Sequence, residues 1–228
     1  MTQPSVANRS AGTQPVRHHV VLAHPAAESF CRSIADAYIA AADACGQATH
    51  LHDLYSIGFD PVLTDQERPG PRYRPRDDLA AELAMIREAD VLVLVYPIWF
   101  GLPPAMMKGY VDRVLGADFA ASNLRDHRPS PLLGGKRLVV ITTSATTRPW
   151  LEEQGQYSAL RQAFDLYLND IFGLHGHDRL HFDAIVPGIP AHYAGECLET
   201  TRQRTRMICA EELSARHAAQ KATLSIRS

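Results

Sequence analysis

Residues Val91–Leu115 read VLVLVYPIWFGLPPAMMKGYVDRVL, and this stretch decides the fold. Val91 to Val95 form an unbroken apolar run with β-branched residues at alternate positions, as in a strand buried on both faces of a parallel sheet. Tyr96-Pro97 ends it, because proline fixes φ and has no N–H for a ladder. An aromatic loop follows, Trp99-Phe100-Gly101, closed by Pro103-Pro104. From Ala105 the pattern turns helical, with Met106, Met107, Tyr110, Val111 and Val114 apolar and Lys108, Asp112 and Arg113 polar. Strand, aromatic loop and helix in that order describe a ligand-binding edge at the carboxyl end of a sheet strand.

The chain of 228 residues has material for one large α/β domain, with 46% hydrophobic and 21% charged residues, the composition of a globular protein. A formal charge of -2 gives no electrostatic reason to expect nucleic acid or an anionic membrane as partner. No apolar run approaches the roughly 18 residues a membrane span needs. The four cysteines, Cys31, Cys45, Cys197 and Cys209, show no CxxC spacing. MTQPSVANRSAGTQPVR at the start is polar without an apolar core, so residues 1–17 are expected to be a disordered tail and not a signal peptide. A cytoplasmic setting follows, with residues 18–228 forming one domain.

Working outward, His19 to Ala23 is the first expected strand and Phe30 to Cys45 an alanine-rich helix ended by Gly46. Between them lies His24-Pro25-Ala26-Ala27-Glu28-Ser29. Ser29 can act as a plain N-cap, or its hydroxyl and the first amides of the helix can receive a phosphate. Gln47 to Leu51 is a weak second strand, followed by a long Pro- and Gly-rich connection, Ser56 to Pro75, of a length often functional or mobile. Asp78 to Glu88 is amphipathic, Gly116 to Leu133 irregular, and Arg137 to Thr142 a fourth strand. Gly134-Gly135-Lys136 lacks the spacing of a phosphate loop and precedes a strand, so it reads as a turn. Gln156 to Phe172 is helical, His181 to Val186 the expected fifth strand, and Gly195 to Ala219 a long terminal helix.

Strands and helices thus alternate, which with right-handed crossovers predicts a doubly wound α/β sheet of five parallel strands with helices on both faces. A GxGxxG after the first strand would favour the dinucleotide-binding order; HPAAES stands there instead, which favours the flavodoxin-like order 2-1-3-4-5. That order gathers AHPAAES, YPIWFGLPP and TTSA at one carboxyl edge. The first offers phosphate donors, the second flat aromatic surface, the third small hydroxyls and backbone amides. A flavin nucleotide, with a phosphate at one end and a planar heterocycle at the other, satisfies all three.

AHPxxxSF at Ala23–Phe30, DLYxxxFxP at Asp53–Pro61, PxWFGxPPxMxKGxxDRV at Pro97–Val114 and TTS at Thr142–Ser144 are together similar to the NAD(P)H:quinone oxidoreductase family of flavodoxin-like flavoproteins. That family includes DT-diaphorase-like enzymes and bacterial modulators of drug activity. The resemblance covers roughly Val20 to Ala145 with its motifs in order. It implies a flavin-dependent NAD(P)H dehydrogenase (quinone) that reduces quinone-like acceptors by two-electron hydride transfer. It also implies a homodimer in which the partner chain completes a pocket for FAD, with FMN as the alternative. Carried over residue by residue, His24, Ser29, Phe30 and Cys31 match the phosphate-holding positions. Pro97, Ile98, Trp99, Phe100 and Gly101 match the segment along the isoalloxazine ring, and Thr142, Thr143, Ser144 and Ala145 the second ring-contacting turn. Lys108, Asp112 and Arg113 read as structural, in surface pairing or dimer contact.

The chain departs from the family beyond Ala145. Members of the mammalian type carry a Tyr and a His after the fourth-strand turn; here those places fall near Trp150 and Gln156, with no histidine between Ala145 and Leu174. No catalytic residue is assigned, and Trp150 and Tyr157 are the aromatics expected near an acceptor pocket. His175, His177 and His181 share parity on a strand, yet no carboxylate or cysteine completes a metal set, and none is expected there. Cys31 near a helix N-terminus raises the alternative of a thiolate nucleophile. Rival functions are an FMN-dependent azo- or nitro-reductase and a regulatory subunit of a potassium-efflux transporter.

Overall fold

The Val91–Val95 run forms the centre of the sheet because each of its side chains finds a buried partner. In this computed structural model, which describes residues 14–117 and 119–226, the strand extends over Val91–Pro97 and is buried throughout. Leu92, Leu94 and Tyr96 point into one apolar cluster, while Val91, Val93 and Val95 point into another on the opposite face. Fully burying side chains of this size contributes about 1.5–3 kcal/mol each.

Around it the chain runs β1 (Arg17–Leu22), α1 (Phe30–Ala44), β2 (Ala48–Asp53), α2 (Ala80–Glu88), β3 (Val91–Pro97) and α3 (Ala105–Tyr110), the last continuing as a π-helical turn, Val111–Leu115. Then come α4 (Ala121–Arg125), β4 (Arg137–Thr143), α5 (Arg148–Glu153), α6 (Gln156–Leu160), a second π turn (Arg161–Leu166), α7 (Tyr167–Phe172), β5 (Gly176–Phe182) and α8 (Ala191–Ile226). The strands are parallel in the order β2-β1-β3-β4-β5, as the motif order predicts. One face is covered by α1 and α8; the other carries α2, α3 and the α6–α7 segment. The order reverses between β1 and β3, the place where ligands bind in such sheets.

Three expectations change. The expected tail falls mainly on residues 1–13, outside the described residues; Val16 is already buried and Arg17 opens β1. The fifth strand lies at Gly176–Phe182, not at His181–Val186. Its polar side chains are compensated by tertiary partners: Arg137 donates to Asp178 at 2.6 Å, Arg204 of α8 pairs with the same carboxylate, and Arg179 pairs with Asp165. Apolar content therefore misplaces it, and Asp183–Val186 forms a loop whose Ile185 N–H donates to Ser144 O at 2.9 Å. The Ser56–Pro75 connection is anchored to the helix after β3. Arg113, expected at the surface, is wholly buried and donates to the equally buried Glu67 at 2.6 Å. Lys108 and Asp112 do form an exposed i,i+4 pair.

Candidate active site

Parallel register brings three loops to one edge. Ala23 N–H donates to Val95 O at 3.0 Å, and Pro97 lies opposite Thr143, so the chain leaves β1, β3 and β4 at the same level. In the first loop Ser29 is extended (φ -117°, ψ 158°) and caps α1, its hydroxyl accepting from Arg32 N–H at 3.2 Å. The cap leaves first-turn amides at a helix end that favours anions. Phe30 is half-buried, and Cys31 is buried with its Sγ 3.3 Å from Thr143 Oγ1, a contact that ties α1 to the end of β4. Burial pushes the Cys31 thiol up to about 11 against the lowering effect of that hydrogen bond, so it stays protonated and the thiolate-nucleophile alternative is set aside. His24 is half-buried; its Nδ1 accepts from Ala26 N–H at 3.1 Å, and its ring meets Trp99 edge-on at 5.9 Å.

The second loop is a tight hairpin. Ile98 N–H donates to Thr143 O at 2.7 Å, which binds this loop to the third. Trp99 and Leu102 exchange backbone hydrogen bonds at 3.0 and 3.1 Å around Phe100 (φ 51°) and Gly101 (φ 80°). Positive φ at both central residues defines a type I′ turn, ordinarily built from Asn and Gly. An aromatic residue in this region carries strain of order 1–3 kcal/mol, the kind retained at functional positions. The Phe100 side chain nevertheless stands fully in solvent, beside the exposed Trp99 and Leu102.

The third loop begins with Thr142, Thr143 and Ser144, all buried, and reaches solvent at Ala145. Ser144 Oγ donates to Thr146 O at 2.7 Å. Beneath the turn lies His181 of β5, with Nδ1 2.9 Å from Thr142 Oγ1 and Nε2 3.2 Å from Ser144 Oγ. Burial, with the nearby Arg179 charge, lowers the His181 pKa to about 4, so the ring is neutral near pH 7. Tyr157 packs on it at 5.5 Å, flanked by the guanidinium groups of Arg148 and Arg179 at 4.8 and 4.9 Å. Tyr157 thus joins the site through His181, whereas Trp150 stands exposed on α5 and pairs with none of the other aromatic rings among the described residues. Gln156 reaches the second loop: a Cβ added at Gly101 would lie 3.5 Å from its carboxamide.

Sequence reasoning missed His181 as part of this edge and reached Gln156 only by counting forward from the fourth-strand turn. The signal for His181 was the two-residue parity of His177, Arg179 and His181, which places it on the Thr142 side of β5 once the strand has its true bounds. The imagined metal trio does not converge. His175 contacts Gly135 O at 2.8 Å and Glu212 at 3.1 Å, His177 Nε2 is buried without a partner, and His181 serves the turn.

A family model described as the flavodoxin-like fold matches residues 17–195. The chain belongs to the flavodoxin-like fold family. Among relatives of this flavodoxin-like protein, an uncharacterized NAD(P)H oxidoreductase of Haemophilus influenzae is 29% identical over 170 residues, covering 74% of this chain and 82% of its own. NAD(P)H dehydrogenase [quinone] 1 of Cavia porcellus is 27% identical over 146 residues, 56% of this chain, which spans 53% of that enzyme's length. An NAD(P)H:quinone oxidoreductase structure from Methanothermobacter marburgensis superposes with a TM-score of 0.71 at 23% identity, covering 85% of this chain and 97% of its own. That last likeness speaks for the fold.

Proposed function

We propose that this flavodoxin-like protein is a flavin-dependent NAD(P)H oxidoreductase of the quinone-reductase type, acting in the cytoplasm as a homodimer. The observation that carries this reading is the convergence of three loops at one sheet edge, locked by the Ile98–Thr143 and Cys31–Thr143 hydrogen bonds and topped by the exposed Trp99-Phe100 turn. The names of the relatives from H. influenzae and C. porcellus agree with it.

The residues present fit a flavin. Ser29 and the first-turn amides of α1 would hold its phosphate, and Trp99 and Phe100 would flank the ring system. The backbone of Pro97–Gly101 and Thr142–Ala145 would meet the ring edge. When bound, such a cofactor takes a hydride from a nicotinamide and delivers two electrons to an acceptor. This chain's own share is orientation, water exclusion and fixed dipoles. His181 holds the Thr142 and Ser144 hydroxyls in place, and its neutral ring keeps the turn free of an added positive charge. Covering of Phe100, Trp99 and Leu102 by a second copy would close the pocket, since exposed aromatic clusters of this kind mark interaction surfaces. No helix among the described residues is long and apolar enough to cross a membrane.

AHPxxxSF and DLYxxxFxP resemble the FAD-using members, whereas a structural neighbour from Bacillus anthracis, an azoreductase with a TM-score of 0.60, was solved with FMN. Chromatography of the cofactor released from purified protein separates the two. Oxidation of NADH and NADPH in the presence of benzoquinone, menadione and an azo dye then ranks the acceptors. A colourless protein that takes up neither flavin overturns the proposal.

A further inference from the structure

The face of the sheet opposite α1 and α8 holds a polar cluster that the flavin edge does not use. His19 of β1, His50 and His52 of β2, Glu82 of α2 and Tyr110 of α3 meet between the strands and the two helices. Glu82 is the hub: Oε1 lies 2.8 Å from His19 Nε2 and Oε2 lies 3.0 Å from His52 Nε2. Tyr110 OH donates to Oε1 and stands 3.2 Å from His19 Nε2. The His19 and Glu82 side chains are only 2% and 4% exposed, and that of His52 11%.

Hydrogen bonding alone leaves this cluster incomplete. Glu82 Oε2 and His19 Nδ1 are buried without hydrogen-bond partners, which is destabilising for a buried polar group. The close approach of His52 Nε2 to Oε2 does not have the geometry of a hydrogen bond. Two imidazole nitrogens and one carboxylate oxygen, all within 4.8 Å of one another, are a ligand set that borderline divalent ions take. Four-coordinate zinc has bonds of about 2.0–2.1 Å, which places its ligand atoms roughly 3.3 Å apart.

We infer that His19, His52 and Glu82 form a Zn2+-class metal site that pins the β1–β2 edge of the sheet to α2, with Tyr110 orienting the carboxylate. The ligands come from rigid elements. His19 faces His50 in the β1–β2 ladder, and His52 stands one register step further on the same side, opposite Val21. A surface depression lined by His19, Ala48, His50 and Met85 borders the cluster on its His19 side.

The experiment uses the full chain stripped with a chelator, titrated with ZnCl2 by calorimetry and with Co2+ by visible absorption. One ion per chain is expected, with the absorption bands of low-coordinate cobalt and a raised melting temperature. His52→Ala, at a partly exposed strand position, and Glu82→Gln should each abolish stoichiometric uptake. Tyr110→Phe, which removes only the hydrogen bond to the ligating carboxylate, should weaken affinity about 10- to 100-fold. The variant His175→Ala/His177→Ala should bind as the parent does. Uptake that is absent from the parent, or that survives His52→Ala and Glu82→Gln and disappears with His175 and His177, overturns the site and leaves a carboxylate–imidazole network. Circular dichroism of each variant separates loss of metal from loss of fold.

Discussion

Phe100 illustrates how a single residue can be ill-suited to its own conformation. Its φ of 51° strains an aromatic side chain that makes no compensating burial within this chain. Phe100→Gly should therefore leave the melting temperature of the flavin-free protein unchanged or higher, since glycine takes positive φ freely. The same variant should weaken flavin binding roughly 2- to 13-fold, the factor that corresponds to about 0.5–1.5 kcal/mol of aromatic stacking. Fluorescence titration with FMN and FAD reads the second quantity, and unchanged affinity would show that the turn lies outside the site. Trp99→Ala combined with Ser29→Ala should release the flavin altogether, read as loss of yellow colour on gel filtration. At this scale the placing of Ser29, Trp99 and Thr142–Ser144 at one edge was legible because motifs name them. His181 was not, because a histidine's role depends on which strand lies beside it.

At the scale of elements, the helix after β3 shows why a long loop can be rigid. Arg113 and Glu67 form an ion pair with both side chains at 0% exposure, and Arg113 also donates to Asp60 O and to Asp78 at 3.0 Å. Removing one partner leaves a buried charge without compensation, which costs about 3–5 kcal/mol. Arg113→Ala should lower the unfolding free energy by that amount, seen as a lower urea midpoint with little change in slope, and Arg113→Met with Glu67→Gln should recover part of it. Gly109 makes the same joint by absence: a Cβ there would overlap the Cβ and carbonyl of Pro61. Gly109→Ala should cost about 1–3 kcal/mol, as overpacking does, measured by the same denaturation. Neither joint could be read from the Ser56–Pro75 stretch, whose proline and glycine content speaks of turns and not of what the turns lie against. The fifth strand was misplaced for a related reason. Asp178, Arg179 and His181 are polar in sequence and enter the sheet only because α8, Asp165 and Thr142 satisfy them.

At the scale of the molecule, burial acts on many histidines at once. His18, His50, His52, His177 and His181 are all held below their ordinary pKa, chiefly by desolvation. The unfolded chain then binds more protons than the folded one as the pH falls below about 6.5 toward the value of about 4 at His181. Stability present above pH 6.5 should be lost progressively across that window. Thermal melts between pH 7.5 and 4.5 should show a falling midpoint, with a shallower slope in His181→Gln; a midpoint that rises on acidification would contradict the burial of these rings.

The sequence by itself determined the sheet and its order, because Val91–Val95 must be covered on both faces and the alternation of strand and helix permits few windings. It also marked the three loops that meet at the edge of the proposed flavin site, since AHPAAES, YPIWFGLPP and TTSA each lie within a few consecutive residues. Only the tertiary structure decided what depends on neighbours distant along the chain: the bounds of β5, the burial of Arg113, the His181 support beneath Ser144, and the meeting of His19, His52 and Glu82. The physical reason is common to all four. A polar or charged side chain goes inside only where a partner meets it, and strand register and helix packing place that partner.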